Sequence, residues 1–127
     1  MTNEPVQPIR REKFEGSIIE EGIIYFRFFE NEVIEASDIQ ESFEIHDLLG
    51  VDENIKRIIH SEKYGTISKA GRDLVQSSSR PANAEAFVIT SMAQKIVFNL
   101  FVKLRKQKHP IRAFDELNDA LTWIRNK

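Results

Sequence analysis

No cysteine occurs in the 127 residues, and that absence removes disulfides, thiolate metal sites and cysteine nucleophiles together. It suits a reducing compartment. Glycine is scarce, with five residues, and neither a glycine-rich phosphate loop nor a Gly-x-Ser-x-Gly elbow is present. The three histidines, His46, His60 and His109, have no metal-ligand spacing, so no metal is expected. Excess positive charge is also missing: 18 Lys and Arg stand against 20 Asp and Glu, a formal net charge of -2. No overall field attracts nucleic acid or an anionic membrane. The longest apolar-rich run, from Met92 to Leu104, is broken by Gln94, Lys95, Asn99 and Lys103. It is too short to span a bilayer, so no membrane insertion is expected. Residues 1–12 are polar, carry Pro5 and Pro8 and lack the apolar core of a signal peptide. Cytoplasm is the expected location.

What is present suits one domain. Hydrophobic residues make up 41% and charged residues 30%, and the length buries a core without metal or disulfide help. Residues 1–12 read as a flexible N-terminal arm and residues 13–127 as the domain. Two β-prone runs, 13–20 and 23–29, flank the turn Glu20-Glu21-Gly22 and read as a hairpin. Ser37 or Asp38 is placed to cap a helix running to about Leu49, with Glu41, three residues beyond Asp38, completing a capping box and Gly50 as the stop. A strand over 56–64 leads through Gly65-Thr66-Ile67-Ser68 into a helix over 69–78, followed by the loop Ser77-Ser78-Ser79-Arg80-Pro81. A strand over 84–90 precedes the longest helix, 92–107, capped by Ser91 and closed by Pro110. A last strand, 111–114, leads to a helix capped by Asp115, with Leu117, Ala120, Leu121 and Ile124 on one face. The order β-β-α-β-α-β-α-β-α implies an α/β fold with a mainly parallel mixed sheet, antiparallel at its N-terminal strand.

Three stretches resemble a known family. They are Gly22-Ile23-Ile24-Tyr25-Phe26-Arg27, Ile67-Ser68-Lys69-Ala70-Gly71-Arg72, and Phe114-Asp115-Glu116 with Ala120-Leu121-Thr122-Trp123-Ile124. In this order they are similar to the STAS domain of bacterial anti-sigma-factor antagonists, and more closely to an uncharacterised STAS-like family of small bacterial proteins. The resemblance implies a regulatory, protein-binding role with an unidentified protein partner. Antagonists of that family carry a phosphorylatable serine in an Asp-Ser-Ser-Gly-like turn. Ser68-Lys69-Ala70-Gly71 lies over that turn, with Gly71 on the glycine, Lys69 on the acceptor and Ser68 on the aspartate. A shift of one residue brings Ser68 to the acceptor place instead.

Read from the residues alone, Thr66 and Ser68 cap the second helix. Their sharper reading is an anion or phospho site. The turn holding Thr66 and Ser68 is expected beside the turn holding Thr90 and Ser91, so that two helix N-termini face one crevice, with Lys69 and Arg72 adding charge. Lys103, Arg105, Lys106 and Lys108 read as a solvated helix end, and His109 as a dipole partner there. A nucleic-acid surface needs more basic charge and exposed aromatics. On the long helix, Val97, Leu100, Phe101 and Leu104 form the stripe expected against the sheet. Phe98 and Val102 are left for a homodimer interface.

No nucleophile–base pair is visible, so an enzyme is the least favoured reading and no catalytic residue or cofactor is assigned. A non-catalytic regulatory or protein-interaction module comes first. The alternative is a carrier of a small molecule or lipid, with Phe87, Phe98 and Phe101 lining an apolar cavity.

Overall fold

The β-prone run around Tyr25 forms an inner strand, and the sheet grows outward from it. The computed structural model describes residues 7–78, 80–105 and 108–127. Its elements are β1 (Ile9–Arg10), β2 (Phe14–Glu20), β3 (Ile23–Phe28), β4 (Val33–Ile34), α1 (Ala36–Leu48), β5 (Lys56–Ser61) and β6 (Thr66–Ile67), then α2 (Lys69–Ser78), β7 (Ala84–Val88), α3 (Met92–Leu104), β8 (Ile111–Phe114) and α4 (Leu117–Arg125). Gly22, at φ +79°, takes the left-handed conformation in the tight turn of the β2–β3 hairpin.

Six strands make one sheet in the order β1-β2-β3-β5-β7-β8. β3, β5, β7 and β8 pair in parallel, while β2 pairs antiparallel with both β1 and β3. β2 is therefore the one strand of this sheet that runs against the others, as the hairpin requires. The register puts Phe26, Ile59 and Phe87 in one row and Ile24, Arg57 and Glu85 in the row nearer the strand starts.

The three crossovers from β3 to β8 all step in one direction across the sheet. Right-handed crossovers of that kind put their helices on one face, so α1, α2 and α3 share a face. α4 follows the last strand and packs on the other. Phe14, Ile24, Phe26 and Phe28 meet Ile39 and Ile45 of α1 on the first face. On the second, Ile23, Ile58, Ala84, Ala86 and Val88 meet Ala120, Leu121 and Ile124.

Several local features depart from the sequence reading. The arm expected over residues 1–12 is ordered at its end. Ile9–Arg10 pairs with Gly16 and Glu15, because Ile9 packs on the core and the Arg10 guanidinium stacks over the Phe29 ring at 4.7 Å. Residues 1–6, Ser79 and Lys106 lie outside the described residues. β4 and β6 form a separate parallel pair, Val33 with Thr66 and Ile34 with Ile67. Gly71 packs against this pair: a Cβ there would lie 2.9 Å from Ile67 Cγ1 and 3.2 Å from the Ile34 carbonyl oxygen. α1 begins two or three residues earlier than expected, with Glu35 as N-cap. Asp38 serves as its reciprocal partner, accepting the Glu35 N–H at 2.8 Å. Glu116, not Asp115, precedes α4; Asp115 instead pairs with Lys95 at 3.1 Å.

Candidate functional site

α3 is apolar nearly all round, so hydrophobicity alone does not set which side faces the sheet. One polar residue sets it. Gln94 is the buried residue of α3. Its Nε2 donates toward Ser61 Oγ at 3.0 Å and toward the carbonyls of Glu62 and Gly65 at 3.0 and 3.1 Å. Its Oε1 accepts from the backbone N–H groups of Thr90 and Ser91, both at 3.3 Å. With Gln94 turned inward, Val97, Phe98 and Phe101 follow at helical spacing on the same side. Phe98 and Phe101 place their rings 5.1 and 6.0 Å from that of Phe87. The expected stripe Val97, Leu100, Phe101 and Leu104 borders the space between α3 and the sheet, with Leu100 and Leu104 half exposed at its rim, and Phe98 joins it on the sheet side; Met92 and Ile96 are exposed.

Between this helix and the sheet lies a cavity of about 560 Å³, within the size range of small-molecule sites. Its wall is mainly apolar, built from Phe26, Ile59 and Phe87 in one row of the sheet, Phe43 of α1, and Phe98 and Phe101 of α3. Phe87 is only half-buried although it sits on an inner strand, because the space above it is open.

Charge is confined to particular places on the wall. At the row nearer the strand starts, buried Arg57 donates through Nε to Glu85 Oε2 at 3.0 Å, through Nη1 to His46 Nε2 at 3.0 Å and through Nη2 to the Arg80 carbonyl at 2.6 Å. His109 Nε2 meets the other Glu85 oxygen at 2.6 Å. His46 Nδ1 lies 2.7 Å from the Ser42 carbonyl and donates to it. That leaves Nε2 as the acceptor of the neutral ring. Burial, reinforced by the Arg57 charge and only partly opposed by the Ser42 bond, pushes the His46 pKa down to about 4. Burial pushes the Glu85 carboxyl up, but the Arg57 charge and the hydrogen bonds from His109 and Arg57 outweigh it and hold the pKa at about 2. Both ring nitrogens of His46 are engaged, so it offers no free base to a bound molecule.

The residues expected to form an anion site are only partly brought together. Thr66, Lys69 and Arg72 line the cavity. Ser68 is the cap of α2, its Oγ accepting the Gly71 N–H at 3.1 Å. Ser91 caps α3, accepting the Gln94 N–H at 3.1 Å. The crevice between the two helix N-termini is filled by the Gln94 carboxamide, which already bonds Thr90 and Ser91. Val102 is half-buried beside the wall residues. His109, read as a dipole partner, instead reaches Glu85. Sequence spacing missed the Arg57–Glu85 pair. Its trace is the parity of the strands: Arg57 alternates with inward Ile59, and Glu85 with inward Phe87.

The other sheet face carries a second polar group of residues. Tyr25 Oη lies 2.6 Å from His60 Nδ1, and Arg27 bridges Glu15 and Glu62 at 3.0 and 2.7 Å. Burial lowers the His60 pKa, with Glu62 opposing and Arg27 assisting.

The fold has a counterpart among solved structures. An uncharacterised protein of the DUF3478 family with a SpoIIAA-like fold, from Shewanella loihica PV-4, aligns over 98% of each chain with a TM-score of 0.57 and 14% identity. At that identity the likeness shows the fold alone, and it agrees with the STAS-like architecture expected from the sequence. No curated protein matches the chain. The sequence profile of a domain of unknown function, DUF7793, matches residues 17–127.

Proposed function

Because the chain belongs to the DUF7793 family, a domain of unknown function, we propose its role from the pocket itself: it is a non-catalytic binding module for a small apolar or amphiphilic molecule held between the sheet and α3. The carrying observation is the cavity of about 560 Å³ walled by Phe43, Phe87, Phe98 and Phe101. Apolar wall left wet is unfavourable by roughly 25 cal/mol per Å², and a ligand that displaces the water recovers that energy. The fully engaged His46, Arg57 and Glu85 supply rigidity at one end of the site rather than reactivity. The proposed setting is the cytoplasm, consistent with the absence of cysteine. Among the described residues no helix is long and apolar enough to cross a membrane.

The test is native mass spectrometry of protein purified from its own host, followed by titration with a hydrophobic fluorophore. A retained small organic molecule, or saturable fluorophore uptake that Phe98→Asp abolishes, is the expected result. A bare chain that takes up no fluorophore overturns the reading.

A second reading keeps the regulatory, protein-interaction role with an unidentified protein partner, including self-association. It is favoured by the exposed apolar residues Met92 and Ile96 of α3. The phospho-switch of the antagonists is not part of this proposal. Lys69 stands at the acceptor place in the direct register, and Ser68 is used as a helix cap.

A further inference from the structure

The charges on the cavity wall, taken pair by pair, indicate what kind of head group the ligand carries. Arg57 is neutralised by Glu85 at 3.0 Å, Arg80 by Asp47 at 2.9 Å and Lys69 by Asp73 at 2.9 Å. Arg72 is different. It lines the same cavity, is half-buried, and has no carboxylate within ion-pair distance among the described residues. The one bond its side chain makes there is from Nη1 to the Ile67 carbonyl at 2.8 Å, so most of its five N–H donors remain unused. A half-buried cation beside apolar wall is unfavourable unless a partner satisfies it.

We propose, building on the apolar-pocket reading above, that the ligand is an amphiphile with a carboxylate head, its hydrocarbon body against Phe87, Phe98 and Phe101 and its head on Arg72. Three features support this choice. The guanidinium fork matches the two oxygens of a carboxylate. Arg72 lies in the first turn of α2, the positive end of that helix dipole, which favours an anion. A cationic head would meet Arg72 with no free carboxylate beside it, because Asp73 is already held by Lys69.

The experiment competes dodecanoate, dodecanol and dodecylamine, each below its micellar concentration, against the bound fluorophore. Dodecanoate is expected to bind roughly tenfold or more tighter than dodecanol, the scale of a charge-assisted hydrogen bond, with dodecylamine weakest. Arg72→Gln is expected to bring dodecanoate down to the level of dodecanol, each compared within that variant. Arg72→Lys should retain part of the preference. Circular dichroism and urea unfolding of each variant check that it folds. Equal binding of dodecanoate and dodecanol to the wild type, or a preference that survives Arg72→Gln, overturns the head-group assignment and leaves the apolar pocket standing. Failure of the fluorophore and all three probes to bind overturns both.

Discussion

Arg57 and Glu85 occupy inward positions on neighbouring parallel strands, where a charge is tolerated only when it is fully partnered. His46, His109 and the Arg80 carbonyl complete that partnering. The price of this arrangement is sensitivity to acid. Between pH 6.5 and about 4 the unfolded chain binds a proton at His46 and the folded chain does not, so stability falls as pH falls through that window. His60, also lowered, acts in the same sense. Glu85, at about 2, keeps its contribution above the ordinary carboxylate range and loses it only from there down toward 2. Arg57, Arg80 and Asp47 are the charges that act on His46. The wild type should therefore lose on the order of 1–2 kcal/mol between pH 7 and pH 5. His46→Gln, which keeps a donor and an acceptor, should lose less, with His60 accounting for the remainder. Urea unfolding at the two pH values measures this, and equal losses in both proteins would refute the role of His46. None of this cluster was legible from spacing, because its members come from α1, β5, β7 and the loop after α3. The caps Ser68 and Ser91 were legible, because a cap bonds a backbone group three residues away.

Gln94 does at the scale of an element what hydrophobic patterning fails to do for α3. α4 shows the contrast: its apolar residues Ala120, Leu121 and Ile124 form a single face, read correctly from sequence, and all three are buried. In α3 nearly every side is apolar; the stripe Val97, Leu100, Phe101, Leu104 borders the cavity, and the buried carboxamide turns Phe98 to the sheet side as well. Replacing that carboxamide removes hydrogen bonds to two strand-end turns at once. Gln94→Ala should cost about 2 kcal/mol of stability. It should also raise amide hydrogen exchange in α3 well above that in α4, whose packing does not involve Gln94. Equal exchange in the two helices of the variant would mean that Phe98 and Phe101 suffice to set the position of α3. The same argument explains why the short strands β1, β4 and β6 escaped notice: two residues carry no period.

At the scale of the molecule, the alternation of strands and helices was readable and gave the sheet its direction, but the share of each face had to come from the crossovers. Three helices on one face leave Met92 and Ile96 of α3 exposed among the described residues, and a homodimer proposed through this helix now uses these two rather than Phe98 and Val102. Ile96→Glu is the informative change, since Ile96 is exposed and its loss leaves folding intact. Sedimentation at micromolar concentration should show a wild-type dimer and a folded Ile96→Glu monomer; a monomeric wild type ends the dimer proposal. The strand order also bears on how the chain is made. Every strand of the large sheet lies beside its predecessor in that sheet. A chain leaving the ribosome N-terminus first therefore extends one edge strand by strand and never has to part a formed pair to insert a later one. α3 connects β7 to β8, so it is tethered at both ends only after the last strand has joined. On the face that carries α1, α2 and α3, the cavity is accordingly the last part to be closed during synthesis, and only α4 on the opposite face follows it.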